Sequence, residues 1–338
     1  MNRFDIRDIS KPLIVAPMAG GPSTPRLAAA ASNAGGLGML AGGLLTADVL
    51  AERLDAARGL TSGPLGVNLF VAQPSAGTQR QYTEYAKALA PEAQRHGVQT
   101  GIPRDDDDGW AAKLVVVSDM RPTVVSFTFG LPSKQTCSCL RSSGILVFAT
   151  VTTAVEAKMA VACGVDALVV QGPAAGGHRA TFDPAAPPCD TPLLQLLNAI
   201  RVDADIPVVA SGGLATADDV ARVLAAGAVA AQLGTAFLLA DEAGTHPTHR
   251  AALRDKAFDE TVVTRAFTGR YARALRNGFV DRYDKQAPFG FPQIGLVTAP
   301  LQSAAGDTDD PHGMALWAGT NFRHARNGCV AEIFRSLT

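Results

Sequence analysis

Residues 167–179 read Ala167-Leu168-Val169-Val170-Gln171-Gly172-Pro173-Ala174-Ala175-Gly176-Gly177-His178-Arg179. The stretch begins with an apolar, β-branched run without polar alternation, which predicts a buried strand of a parallel sheet. The glycines that follow permit a sharp turn and a close approach to a ligand. His178 comes next, and histidine is the side chain best suited to proton transfer near neutral pH. A strand, a glycine loop and a titratable group in this order are typical of the rim of an active site.

Similar apolar runs recur along the chain and predict a parallel sheet covered by helices. The eight predicted strands are residues 13–16, 38–40, 66–71, 124–127, 144–148, 167–170, 207–210 and 230–233. Helices are predicted from about Thr24 to Ala34 and from Thr46, a suitable cap, to about Ala57. Eight such units suit a closed (β/α)8 barrel.

A doubly wound open sheet is the main alternative fold. That fold usually has fewer strands and carries a G-x-G-x-x-G fingerprint after the first strand. The first strand here is followed by Pro17-Met18-Ala19-Gly20-Gly21-Pro22, which does not match. Glycine turns instead follow strands one, six, seven and eight, as a ligand at the C-terminal face of a barrel requires. We therefore predict an α/β protein with a TIM barrel.

Two segments do not fit the β/α repeat. Residues 73–108 are polar and helical in character, and residues 241–309 mix charge, proline and glycine. Both follow predicted strand ends, so they are expected to combine into a smaller, mostly helical cap that binds substrate. The barrel would then comprise residues 1–72, 109–240 and 310–338.

The composition excludes several classes of partner. Of 338 residues, 47% are hydrophobic and 18% charged, and the formal net charge is −1, so neither nucleic acid nor an acidic membrane surface is indicated. The first residues lack the apolar core of a signal peptide, and no long apolar run predicts a membrane span. The five cysteines suggest reduced thiols, and Cys137-x-Cys139 alone does not make a metal site. A cytoplasmic protein without a metal is expected.

Two glycine turns predict a phosphate site. Ser211-Gly212-Gly213 follows strand seven and Gln232-Leu233-Gly234-Thr235 includes the end of strand eight. Backbone N–H groups there can face an anion, and the positive end of the helix from about Thr216 would add to them. Phosphate sites recur after these two strands in barrels. The alternative is a pair of ordinary turns that need glycine for their geometry.

Two amides at strand ends predict a flat polar ligand. Asn68 lies on an apolar strand and Gln171 ends another, and a buried amide needs partners for its donors and acceptor. A heterocycle with alternating N–H and C=O groups would supply them, whereas the alternative is bonding to neighbouring backbone. The small residues of Pro17-Met18-Ala19 could accept a flat ring against the main chain.

The charged residues leave several interpretations open. His178 is either catalytic or a hydrogen-bonded structural histidine, and its setting favours catalysis. Arg179 would bind an anion or be solvated. Asp105 to Asp108 suggest a solvated turn or helix start, and Trp317 suggests packing. A further group would favour anionic substrates or form a helical salt-bridge face: Arg265, Arg270, Arg273 and Arg276.

Taken together, these segments resemble the nitronate monooxygenase family, formerly called 2-nitropropane dioxygenases, and its class I in particular. The resemblance covers nearly the whole chain, and its specificity comes from the ordered set. The matching segments are residues 16–21, 33–38, 66–70, 171–178, 210–213, 232–237, 264–270 and 316–319.

The resemblance implies an FMN enzyme that oxidises small anionic alkyl nitronates with O2 to a carbonyl product and nitrite. Propionate 3-nitronate is the characteristic class I substrate, and a monomer or homodimer is expected. His178 would be the catalytic residue beside the flavin ring, and Gly213 with residues 232–235 would hold the phosphate. The expected cofactor-contacting residues are Pro17, Met18, Ala19, Asn68, Gln171, Gly176, Gly177, Ser211, Gly212, Gly213, Gln232, Leu233, Gly234 and Thr235.

This chain departs from the family pattern at four positions. Ala174 and Ala180 replace a usual Glu and Gly of residues 171–180, which we call the histidine loop. Thr320-Asn321 replace a usual Gln-Gly. An NAD(P)H-dependent flavin reductase acting on quinones or enoyl thioesters is the alternative enzyme. Related enoyl-acyl carrier protein reductases typically have Glu where Gln171 stands, which argues against them. A non-catalytic FMN-binding protein is the third hypothesis.

Overall fold

A computed structural model describes residues 4–202 and 204–338, so residues 1–3 and 203 of the expected barrel lie outside the described part. Eight parallel strands close into a barrel in the order β1-β2-β3-β4-β5-β6-β8-β9, and β9 pairs with β1. The strands are β1 (Leu13–Val15), β2 (Leu37–Ala41), β3 (Leu65–Phe70), β4 (Val124–Thr128), β5 (Leu146–Val151), β6 (Ala167–Gln171), β7 (Gly177–His178), β8 (Val208–Ser211), β9 (Ala230–Leu233), β10 (Thr261–Thr264) and β11 (Ala272–Leu275). The predicted TIM barrel is confirmed, and the open sheet is not observed.

Helices alternate with most of the barrel strands, and α1, α2 and α9 start within one residue of the predicted positions. The helices are α1 (Pro25–Asn33), α2 (Ala47–Arg58), α3 (Gln79–Ala88), α4 (Ala90–Arg95), α5 (Trp110–Met120), α6 (Lys134–Ser142), α7 (Ala154–Cys163), α8 (Leu193–Arg201), α9 (Ala217–Ala225), α10 (Pro247–Arg254), α11 (Gly278–Tyr283), α12 (Gln293–Asp307) and α13 (Val330–Leu337). The Thr24 and Thr46 hydroxyls accept hydrogen bonds from backbone N–H groups of the first turns of α1 and α2. Among the described residues, no helix is long and apolar enough to cross a membrane.

Alternation along the strands separates the barrel interior from the layer beneath the helices. In β1, Ile14 packs in an interior cluster with residues such as Val169, whereas Leu13 and Val15 pack against the helices. Ile6, from a short 3-10 helix, joins the interior cluster and closes the N-terminal end of the barrel. The lower part of the barrel is therefore a packed core, as in other barrels of this type.

A separate hydrophobic cluster lies outside the barrel and draws residues from both cap segments. Tyr82 and Tyr85 of α3 pack with Phe267, Phe279 and other residues of the second segment. The Tyr85 hydroxyl donates a hydrogen bond of 2.7 Å to the Ala266 carbonyl. The two segments thus meet in space, although they are far apart in the chain.

The second of these segments, residues 241–309, contributes a hairpin to a small antiparallel sheet that was not expected. The β10–β11 hairpin pairs with β7, so His178 lies opposite Ala272. Part of the expected histidine loop is therefore a short strand joined to the cap. Its backbone geometry depends on a hairpin almost a hundred residues later in the chain.

Candidate active site

One large cavity opens at the C-terminal ends of the barrel strands, with a volume of about 1140 Å³. Its lining includes every residue for which the sequence predicted a catalytic or cofactor-binding role. These are Pro17, Met18, Ala19, Asn68, Gln171, Gly176, Gly177, His178, Ser211, Gly212, Gly213, Gln232, Leu233, Gly234 and Thr235. The fold therefore brings together residues that are separated by more than two hundred positions.

The floor of the cavity is a ring of polar side chains, which we call the polar ring. Strand alternation explains most of it, because four of the members follow an apolar interior residue of the same strand by two positions: Gln171 follows Val169, for example. The interior thus changes from apolar to polar towards the C-terminal end. The polar ring comprises Asn68, Thr128, Thr150, Gln171, Ser211 and Gln232.

Asn68 is buried, and its amide nitrogen is bonded to the neighbouring strand. The nitrogen lies 2.8 Å from the Ser126 hydroxyl, 3.0 Å from the Thr128 hydroxyl and 3.2 Å from the Ser126 carbonyl. Its donor side is therefore held by β4 while the side chain lines the cavity. This fixes the orientation in which the amide meets a ligand.

Gln171 is bonded at both ends of its amide to the histidine loop. Its nitrogen donates to the His178 carbonyl at 3.1 Å, and its oxygen accepts from the Ala180 N–H at 3.0 Å. For Gln171, bonding to neighbouring backbone is therefore observed, and no ligand is needed to satisfy the amide. The side chain holds His178 at the cavity wall.

The turn after β8 presents glycine backbone to the cavity. Gly212 and Gly213 have φ angles of 102° and 76°, a region that favours glycine. The N–H groups of Gly213 and Gly234 make no hydrogen bond with any described residue, so they remain available to an anion at the cavity wall.

The expected contribution of the α9 N-terminus is corrected by the structure. The Asp219 carboxylate accepts hydrogen bonds from the Ala215 and Thr216 N–H groups, and Thr216 caps the Asp219 N–H. The helix end is thus already neutralised by its own carboxylate. The free donors belong to the glycine turns.

His178 is partly buried and is held on several sides. Its Nε2 lies 2.9 Å from the Thr268 hydroxyl. Three aromatic rings surround the imidazole: the centroids of Phe291 and Trp317 are each 5.3 Å away, and that of Phe129 is 5.8 Å away. The assignment of Trp317 to packing is correct, but it also lines the cavity beside the histidine.

This environment keeps the imidazole neutral. Burial, followed by the positive charge of Arg270, lowers the pKa of His178 to about 3. Both effects disfavour the charged ring. At neutral pH the side chain can therefore accept a proton but offers no positive charge to an anion.

The arginines are not used as the sequence suggested. Arg179 and Arg270 are each 1% exposed and do not line the cavity. Arg179 donates to the Gly172 carbonyl at 2.6 Å, and Arg270 lies 3.9 Å from the Phe129 ring centroid. Burial lowers the pKa of Arg179 to about 10 and that of Arg270 to about 9. The expectation that Arg179 binds an anion or is solvated was therefore wrong.

The helical salt-bridge face expected for the other arginines is also wrong, because these residues lie in and around the β10–β11 hairpin. Arg273 donates to the Pro173 carbonyl, and Arg276 pairs with Glu260 and Asp281 at the surface. These arginines bind other residues of the protein, and none of them lines the cavity where an anionic substrate would lie.

The acidic run forms the expected turn before α5, but part of it reaches the cavity. Asp107 accepts from the Gly109 N–H, and Asp108 pairs with Lys113 at 2.7 Å. Asp106, Asp107 and Asp108 line the cavity. Within the described part of the chain, no cluster of His, Cys, Asp and Glu could hold a metal ion.

The departures in the histidine loop are compatible with its backbone. Gly213 has room for no side chain, since an added Cβ would lie 2.6 Å from the Ala174 Cβ. Ala180 is fully buried, and its φ angle is not in the region that favours glycine. The loop is therefore tightly packed with alanine at both positions.

Sequence reasoning missed Thr268 and Asn321. Asn321 lines the cavity and donates to the Gly213 carbonyl at 2.6 Å, so a departure from the family pattern supports the glycine turn. Thr268 belongs to a segment that matched the family, but nothing local showed that it reaches His178. Only the pairing of β7 with the hairpin brings Thr268 to His178.

The fold and the cavity define the class of protein: a (β/α)8-barrel enzyme, whose active site lies at the C-terminal face. The family model described as nitronate monooxygenase matches residues 4–338. A nitronate monooxygenase from Paraburkholderia phytofirmans is 39% identical over 341 residues, covering 97% of this chain and 92% of that protein.

Solved structures share the fold. The nitroalkane oxidase from Streptomyces ansochromogenes superposes with a TM-score of 0.93 at 44% identity, covering 98% of this chain and 95% of the other. FabK from Thermotoga maritima superposes with a TM-score of 0.76 at 25% identity, covering 98% and 93%. The chain belongs to the nitronate monooxygenase family, a family of flavin-dependent oxidoreductases.

Proposed function

We propose that the cavity binds FMN. The fit is supported by the free N–H groups of Gly213 and Gly234, which suit a phosphate, and by the polar ring, which suits a heterocycle. At Gly176 an added Cβ would lie 2.5 Å from the Ala318 carbonyl carbon, so this wall is closed to side chains. The cavity of about 1140 Å³ leaves room for a cofactor and a small substrate.

The reaction that the site supports best is the oxidative denitrification of alkyl nitronates with O2 to a carbonyl compound and nitrite. When bound, FMN supplies the redox chemistry between the nitronate and oxygen. The observation that carries the proposal is the meeting of His178 with all the expected cofactor-contacting residues in one cavity. Propionate 3-nitronate is the substrate that the family resemblance implies.

His178 provides the proton chemistry in this proposal. As a neutral base it would take the α-proton of a nitroalkane, which leaves the electron pair on carbon and produces the nitronate. An anion formed beside the ring favours the imidazolium and raises its pKa, which assists the transfer. Phe129, Phe291 and Trp317 restrict water around the imidazole. A nitronate supplied as such would not need this step.

We further propose that the cap segments 73–108 and 241–309 bind the substrate. Phe291, Gly295 and Ala299 line the cavity from this side, together with Thr268 beside His178. The substrate would then lie between the polar ring and α12. A cytoplasmic location and a monomer or homodimer complete the proposal.

An absorbance spectrum followed by an oxygen-electrode assay tests the function. The purified protein should show a flavin spectrum, or acquire one with FMN, and should consume O2 with propionate 3-nitronate or propyl-1-nitronate while nitrite accumulates. A colourless protein that FMN cannot reconstitute would refute cofactor binding. A flavin-loaded protein inert towards both nitronates would leave the flavin reductase and the third hypothesis, a non-catalytic flavin protein.

The alternative is an NAD(P)H-dependent flavin reductase acting on quinones or enoyl thioesters. The structural similarity to FabK is the observation that keeps it in view. Mixing the flavin-loaded protein with NADH or NADPH without oxygen separates the two functions. Rapid bleaching of the flavin would favour the reductase, whereas an unchanged spectrum together with nitronate oxidation supports the monooxygenase.

A further inference from the structure

Thr268 makes two contacts that together determine the direction of its hydrogen bonds. Its hydroxyl oxygen lies 2.9 Å from Nε2 of His178 and 3.4 Å from the Arg270 carbonyl. The residue lies in the turn between β10 and β11, and the side chain faces the cavity. It therefore reaches the histidine from the cap.

A count of donors and acceptors selects one arrangement. The threonine hydroxyl has a single proton, and a carbonyl oxygen can only accept. Both contacts are hydrogen bonds only if Thr268 donates to the Arg270 carbonyl and accepts from an Nε2–H of His178. The neutral imidazole then carries its proton on Nε2, and Nδ1 holds the free lone pair.

Nδ1 is placed so that its lone pair can accept a proton from a molecule in the cavity. Nδ1 of His178 makes no hydrogen bond with any described residue and is not among the fully buried unpartnered atoms, so it is open to the cavity. The backbone of His178 is held by its pairing with Ala272, and the ring is surrounded by aromatic side chains. Arg270 is the charged group that acts on the imidazole.

We infer that Thr268 is a positioning residue that fixes His178 as the Nε2–H tautomer, so that Nδ1 is the atom that takes the substrate proton. The catalytic part of this inference rests on the proposed function. The tautomer assignment does not, because it concerns only the hydrogen bonds of the protein.

Long-range 1H–15N NMR of histidine-labelled protein tests the tautomer directly, with His178→Asn used to assign the signal. The parent protein should show the Nε2–H pattern at His178. Thr268→Val, which keeps the shape but removes the hydroxyl, should shift the signal towards a mixture of tautomers. Thr268→Ser should restore it. An Nδ1–H pattern in the parent, or an unchanged pattern in Thr268→Val, would overturn the inference.

Steady-state kinetics test the consequence for catalysis. With a neutral nitroalkane, Thr268→Val should lose about tenfold in kcat/KM, mainly in kcat, while Thr268→Ser stays within about threefold. With the preformed nitronate the loss in Thr268→Val should be clearly smaller than with the nitroalkane, because no proton is abstracted. Equal losses on both substrates would show a merely structural role. A parent protein inert towards both substrates contradicts the proposed function, whereas the NMR result still decides the tautomer.

Discussion

The protonation state of His178 is decided by its immediate neighbours. A cationic imidazole could stabilise an anion, whereas a neutral one could accept a proton. Burial, followed by the positive charge of Arg270, lowers the pKa to about 3 and so disfavours the cationic ring at neutral pH. The imidazole of His178 is thus a neutral proton acceptor at neutral pH.

Replacement of this histidine should separate binding from turnover. His178→Asn keeps a polar side chain of smaller size at the cavity wall but removes the titratable group. We expect FMN to remain bound and the kcat for a neutral nitroalkane to fall by about 10²–10⁴, the usual contribution of a general base. Flavin absorbance and nitrite release measure the two properties. Activity like that of the parent would remove the histidine from the mechanism.

Two buried histidines should make folding stability depend on pH. Burial lowers the pKa of His178 to about 3 and, with the nearby His246, that of His249 to about 4. Both are neutral when folded, whereas the unfolded chain takes up protons below about pH 6.5. Stability should therefore be complete above pH 6.5 and fall as the pH decreases towards 4.

Urea unfolding between pH 7.5 and 4.5 measures this dependence. Each group contributes up to about 1.4 kcal/mol per pH unit within its window. The double variant His178→Asn/His249→Asn should show a shallower fall than the parent. Parallel curves for the two proteins would mean that other groups cause the loss.

At the scale of elements, the turn after β8 combines a backbone requirement with a packing requirement. Gly213 has a φ of 76°, its added Cβ would collide with Ala174, and its carbonyl accepts from Asn321. The C-terminal segment, through Asn321, and the histidine loop, through Ala174, thus both contact this turn. Its N–H group can face a phosphate only if this arrangement is kept.

Gly213→Ala should therefore weaken FMN binding by about tenfold or more, because it adds both strain and a collision. Gly144→Ala is the matched control: its φ is 84°, no atom lies within 4 Å of an added Cβ, and it does not line the cavity. The control should lose about 1 kcal/mol of stability with FMN affinity unchanged. Flavin fluorescence titration compares them, and equal affinities would refute a cofactor role for the turn.

At the scale of the whole molecule, Arg270 joins the barrel to the cap. It donates to the Thr181 carbonyl and to the Gln73 side chain and stacks on Phe129, while its own backbone belongs to the hairpin region. These partners come from three distant parts of the chain. A buried cation so placed holds the cap in register with the histidine loop.

Arg270→Met should lower the free energy of unfolding by about 2–4 kcal/mol, because it leaves buried acceptors without a donor. Arg276→Met, in the same region, removes only surface ion pairs with Glu260 and Asp281 and should change stability little. Chemical denaturation compares the two variants. Similar stabilities would show that the buried arginine is not required to join the cap to the barrel.

Local patterns predicted the elements but not the contacts between them. The eight barrel strands and the Thr46 cap of α2 were correct, because apolar runs and capping residues act within a few positions. The arginines around the hairpin were misassigned, since the same residues fit a helix face equally well by spacing. Their hydrogen-bond and ion-pair partners, most of which come from distant segments, decided their roles.

The sequence by itself determined the barrel, the glycine turns and the catalytic and cofactor-binding candidates that line the cavity. Tertiary structure alone decided that Thr268 meets His178 across 90 positions and that Asn321 meets Gly213 across 108. The physical reason is the distance along the chain over which each interaction acts. Strand, turn and cap preferences are encoded in neighbouring residues, whereas a hydrogen bond between distant segments exists only after the chain has folded.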